Sequence, residues 1–92
     1  MAVEWRGSAD KHEVPREDAL HAMLNHVYWV RSFDEPRLPG HERPDMFIGP
    51  SRDRSMLIEV IVEQIPPDRL VIFHVMEARA KMIRCAQEAA DD

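Results

Sequence analysis

The stretch "MLIEVIVEQIPPDRLVIFHVMEARAKM", Met56 to Met82, decides how this chain folds. Met56, Ile58, Val60 and Val62 alternate with Leu57, Glu59, Ile61 and Glu63, the two-residue period of a strand with one buried and one mixed face. Pro66, Pro67 and Asp68 cannot continue a ladder and predict a turn. Leu70 to Met76 then reads as the antiparallel partner strand, with His74 sharing side-chain parity with Ile72 and Met76. From about Ala78 the composition changes to Ala, Arg, Lys, Gln and Glu, which favour a helix.

Working outward, "MFIG" (Met46–Gly49) is a short strand that reaches Met56 through the turn "PSRDRS". Asp34 to Asp45 holds three prolines and one glycine and predicts a loop, long for so small a domain. "HVYWVRSF", His26 to Phe33, is rich in β-branched and aromatic residues and predicts a strand. Before it, Ala19, Leu20, Met23, Leu24 and Val27 recur at helical spacing behind Pro15, with Glu17 and Asp18 at the favoured end of the helix dipole. A short amphipathic helix over Pro15–Asn25 follows. The first dozen residues carry no period and predict an irregular lead-in, with Trp5 pinning it to the core. Residues 1–92 thus describe one α+β domain, a small antiparallel sheet of three to four strands with an N-terminal and a C-terminal helix packed on it.

Composition narrows the function. Hydrophobic residues at 45% and charged residues at 32% place the chain among folded domains and away from disordered ones. A formal net charge of -5 argues against nucleic-acid binding through bulk electrostatics. Cys85 has no cysteine to pair with, the start "MAVEWRGSAD" lacks the apolar core of a signal peptide, and no run approaches the ~18 apolar residues of a membrane span. The expectation is a cytoplasmic protein with no membrane association. His21 and His26 are five apart, wrong for one helical face, so neither a metal site nor any other cofactor is expected. Cys85 reads as a small core residue rather than a nucleophile.

On a wheel at about 100° per residue, the period of an α-helix, Ala78, Met82, Cys85, Ala86 and Ala89 form the packing arc of the last helix. Lys81 and Arg84 fall on the solvent side, but Arg79 falls inside the arc and in the first turn, where a cation opposes the dipole. Arg79 therefore needs a partner: a carboxylate such as Glu77, Glu59 or Glu17, or the phosphate that its planar fork suits. His74 is open in the same way, as a hydrogen-bonded core histidine or as an acid/base group.

"FHVMEARAKMIR" resembles the closing segment of BrnT-type toxins, members of the RelE-like ribonuclease toxins, in which a last strand runs into a Ser-Ala-Arg motif and a basic helix. "VEWRGSADKHEVPREDAL" is similar to that family's opening, with Trp5, Lys11, His12, Val14, Glu17 and Ala19 on motif positions, and "IGPSRDRSMLIEVIV" is similar to its Ile-Gly and strand pattern. Glu13 and Glu77 stand where the family carries glycine and serine. The resemblance implies the toxin of a type II toxin–antitoxin system: a metal-independent endoribonuclease that cuts mRNA and is neutralised by a cognate antitoxin. His74, Arg79 and Lys81 would supply the acid/base group and the cations of catalysis. Arg52, Arg54 and Arg84 would bind flanking RNA phosphates.

From Met46 to Gln87 six Lys or Arg stand against five Asp or Glu, so even this half of the chain is nearly neutral. Weak non-specific affinity for RNA follows, which fits RNA presented by the ribosome or an inactive relative of the toxins. The alternative is a non-catalytic interaction domain on the same fold, joining a partner or another copy of itself through a sheet edge or the long loop.

Overall fold

The computed structural model describes residues 2–36 and 38–91. They form the strands β1 (Ala2–Trp5), β2 (Tyr28–Val30), β3 (Asp45–Pro50), β4 (Leu57–Ile65) and β5 (Arg69–Glu77), the helices α1 (Arg16–Leu24) and α2 (Ala80–Asp91), and a 3-10 turn over Gly7–Asp10. The β4–β5 hairpin is at the centre of one mixed sheet ordered β1-β5-β4-β3-β2. Three antiparallel pairings join β2 to β5, as the alternation in the sequence implies.

The fifth strand is the main departure. β1 lies in the segment expected to be irregular and runs parallel to β5, with Ala2 opposite Arg69 and Trp5 opposite Ile72. The first helix is therefore not the N-terminal element. A parallel pairing between residues almost seventy apart leaves no local signature, and four residues are too few to display a period. Polar groups manage this edge: Arg69 donates two hydrogen bonds to Glu4, at 3.1 and 2.8 Å. Trp5 packs against the core, with the Arg16 guanidinium 4.9 Å above its ring.

The two helices take opposite faces. Ala19 and Ala22 of α1 pack with Phe47, Ile58, Val60, Val62, Ile72 and Val75, whereas Ala86, Met82 and Ile83 of α2 pack with Met46, Ile48 and Ile61. β4 is consequently buried on both sides, and its expected mixed face is covered by α2. The expected apolar stripe of the first helix is corrected in part: Leu20, Leu24 and Val27 are exposed, and contact with the core is made by Ala19, Ala22 and Met23. Close approach explains this. Gly49 of β3 lies directly under Ala22, so that a Cβ at position 49 would enter the van der Waals envelope of the Ala22 carbonyl. Small residues on both sides let the backbones meet, and Leu20 and Leu24 of α1 turn outward.

β5 contains one additional residue. Val62 pairs with Ile72, yet Ile61 pairs with His74, so Phe73 is the extra residue of a β-bulge. The alternation breaks there. Ile72 stays on the α1 face while His74 and Met76, opposite Ile61 and Glu59, lie on the α2 face, which corrects the shared parity of Ile72 and His74.

The expected strand over His26–Phe33 is confined to Tyr28–Val30. Trp29 stacks on Phe47 with ring centroids 5.1 Å apart and carries the Arg31 guanidinium 4.2 Å from its own centroid. Asp45 fixes the loop between β2 and β3 by accepting hydrogen bonds from Trp29 Nε1, the Ser32 amide and Gln64 Nε2. His41 joins Glu63 at 3.0 Å, tying the same loop to β4.

Replacing Gly49 with alanine is expected to lower the unfolding free energy by about 3 kcal/mol, the upper end for overpacking, because backbone cannot move aside as a side chain can. Urea denaturation followed by circular dichroism checks this, and an unchanged midpoint would contradict the close contact.

Candidate functional site

Glu59 begins as an anomaly of the sequence, one carboxylate in the apolar run of β4. Its side chain is fully buried on the α2 face. Four donors converge on it: His74 Nε2 at 2.8 Å, the Arg79 amide at 2.9 Å, Arg79 Nε at 3.2 Å and an Arg79 terminal nitrogen at 2.7 Å. Burial alone would raise the pKa of Glu59, but the hydrogen bonds from His74 and Arg79 outweigh it and hold the carboxyl at about 2. Glu59 is therefore a fixed negative charge. The same contact raises the pKa of Arg79, through its hydrogen bond to Glu59 against partial desolvation.

The partner of Arg79 is thus the β4 carboxylate, one of the three considered from sequence. Arg79 precedes the first helical residue, Ala80, and its carbonyl accepts the Met82 and Ile83 amides, so it caps α2 rather than occupying its first turn. A guanidinium has five N–H donors, and Glu59 takes two of them. The remaining three belong to a side chain that is 37% exposed.

Arg79 lines a cavity of about 410 Å³, whose wall also includes Lys11, His12, Asp34 and His74. Ile61, Phe73 and Met82 form its apolar part, with Phe33 at the loop side. The 3-10 turn brings Lys11 and His12 here, anchored by the Ser8 hydroxyl donating to the Phe73 carbonyl at 2.6 Å. The bulge thus fixes the turn as well as His74. The His12 and His74 rings meet edge to face with centroids 5.8 Å apart. Two imidazoles, an ammonium and a guanidinium converging on one opening can bind an oxyanion and move protons to and from it.

The other sequence candidates lie elsewhere. Arg52 donates to Asp18 at 2.8 Å and is tied to α1, on the opposite face of the sheet. Arg54 is exposed in the β3–β4 turn with φ 61°. In that turn the Ser55 amide and the Ser55 and Ser51 hydroxyls hydrogen-bond the Asp53 carboxylate and lower its pKa to about 2. Lys81 and Arg84 are exposed on α2 and do not line the cavity. Of the residues expected in catalysis, the structure brings His74 and Arg79 together and leaves Lys81 outside. Lys11 and His12 enter the site in its place. Their only mark in the sequence was a place in the opening motif, since nothing local joins position 12 to position 74.

Three histidines have bonds of their own: His21 Nδ1 with the Pro50 carbonyl, His26 Nδ1 with the Met23 carbonyl, and His41 with Glu63. Among the described residues no group of three or more His, Cys, Asp or Glu is placed to hold a metal ion. No helix of the described residues is long and apolar enough to cross a membrane.

The depressed pKa of Glu59 makes a prediction about acid. Its contribution to stability is complete above the ordinary carboxyl value of 4.5 and is lost as pH falls towards about 2, an effect of roughly 3 kcal/mol. Urea denaturation at a series of pH values is expected to show a steeper acid loss for the native protein than for Glu59→Gln, and equal slopes between pH 4.5 and 2 would refute the pairing.

No protein-family model matches the chain, and neither a curated protein nor a solved structure matches it.

Proposed function

We propose that this chain is a metal-independent endoribonuclease, the toxin of a type II toxin–antitoxin pair, acting in the cytoplasm and neutralised by a cognate antitoxin. One observation carries the reading: His12, His74, Lys11 and Arg79 share a single cavity. RNA cleavage of this kind needs a base for the ribose 2′-hydroxyl, an acid for the departing 5′-oxygen, and cations for the charge that grows on phosphorus. The cavity holds one candidate for each part.

The resemblance to BrnT-type toxins supports the same reading at two places. Lys11 and His12, which it matches to the opening motif, line the cavity together with Arg79, which it matches to the closing motif. Glu13, standing where that family has glycine, has φ 60°, the left-handed region that glycine enters without strain. A backbone of that shape is what a glycine at this position would serve.

A second reading, a non-catalytic interaction domain, is favoured by the exposed Leu20, Leu24 and Val27 of α1 and its exit. The cleavage assay separates the two. The purified protein is expected to cut single-stranded RNA in the presence of EDTA, and His12→Ala, a change at an exposed residue, to reduce the rate by about 10²- to 10⁴-fold with an unchanged melting temperature. A native protein that neither cuts RNA at any salt concentration nor slows growth when expressed would leave only the second reading.

A further inference from the structure

The buried carboxylate specifies more than position. At neutral pH the Glu59 carboxylate can only accept hydrogen bonds, so the His74 nitrogen 2.8 Å away, Nε2, must carry a proton. In the neutral ring the other nitrogen, Nδ1, then holds the lone pair. The charged and titratable groups around this ring are Glu59 from β4, Arg79 from the start of α2, Lys11 and His12 from the end of the 3-10 turn, and Asp34 from the loop.

We infer that Glu59 is a positioning residue that sets the tautomer of His74 and thereby makes His74 the base of the cleavage reaction. This inference rests on the ribonuclease reading for the reaction but not for the tautomer. In the step it describes, His74 Nδ1 takes the proton of a ribose 2′-hydroxyl and the 2′-oxygen forms a bond to the adjacent phosphorus. The bond from phosphorus to the 5′-oxygen breaks, and His12 in its protonated form gives that oxygen its proton. The products are a 2′,3′-cyclic phosphate and a 5′-hydroxyl end, with the Arg79 donors that Glu59 leaves open directed at the phosphoryl oxygens.

The fixed charge gives the test a clear direction. In Glu59→Gln the amide oxygen stays with the Arg79 amide and Nε, which share Oε1, and the amide NH₂ takes the place of Oε2 facing His74 Nε2. This orientation gives up only the bond from the Arg79 terminal nitrogen, whereas the opposite one gives up both bonds at Oε1. That nitrogen must then accept, and the proton moves to Nδ1. Nitrogen-15 spectra of the His74 ring, at a pH where it is neutral, are expected to show Nε2–H in the native protein and Nδ1–H in Glu59→Gln. With RNA as substrate the variant is expected to lose about 10²- to 10⁴-fold in kcat with KM unchanged, since a base presented as a donor cannot take a proton. A residue that served stability alone would move the melting temperature without moving the tautomer.

A native His74 protonated on Nδ1 overturns the inference whatever the variant does, so the test stands even if Glu59→Gln fails to fold. A folded variant that keeps Nε2–H, or that keeps its kcat, overturns it as well. Failure of the native protein to cleave RNA would end the role of His74 as base together with the ribonuclease reading, and the spectra would still decide whether Glu59 sets the tautomer.

Discussion

A carboxylate with no exposed surface, inside a domain of 92 residues, imposes conditions on everything around it. Removing such an ion from water costs several kcal/mol, which only well-placed donors can offset. Glu59 receives four, from β5 and from the residue that caps α2. That arrangement ties together the central strand, its partner and the last helix at one point. A hydrophobic residue at position 59 would leave β4 and α2 free to pack by shape alone, while the charge demands one register and one helix start.

The bulge is the second half of the same constraint. Had β5 continued its alternation from Ile72, His74 would point to the face occupied by α1, and Glu59 would be left with Arg79 alone. One additional residue at Phe73 moves His74 to the α2 face and exposes a carbonyl for Ser8, which places the 3-10 turn. The cavity therefore depends on a single irregularity in the strand. Bulges often serve to re-aim a side chain in this way.

Much of the architecture was legible because it is periodic. The alternation of Met56 to Gln64, the Pro66-Pro67 turn and the helical tail each follow from spacing, and the central hairpin and α2 lie where that spacing puts them. What escaped has no period. β1 is short and pairs across the whole chain; the extra residue in β5 looks like any other apolar position; and the close approach of Ala22 of α1 depends on a glycine on a different element. The site was half visible for the same reason. The helical wheel singled out Arg79 as a residue in need of a partner, but choosing Glu59 over Glu77 or Glu17 requires the β4–β5 register. Arg52 runs the other way: an arginine in a turn suggests a phosphate contact, and the fold gives it a carboxylate, Asp18, that local sequence does not reveal.

The charge balance of the cavity finally reconciles the proposed anion site with an acidic protein. With both rings neutral, Lys11, Arg79 and Asp34 give the wall one positive unit, which the buried Glu59 carboxylate behind it offsets, and each imidazole that takes a proton adds one positive unit. At physiological salt, charges beyond about 8 Å are largely screened. Under the proposed reading, the overall charge of -5 would therefore bear on how RNA approaches and much less on how a phosphate is held once inside. Holding it would fall to directed donors, the N–H groups of Arg79 that Glu59 leaves open and the Lys11 ammonium. A protein so arranged would capture little RNA by its long-range field. Under the proposed ribonuclease reading, activity would depend on a strand delivered to the cavity mouth, as with RNA presented by a ribosome.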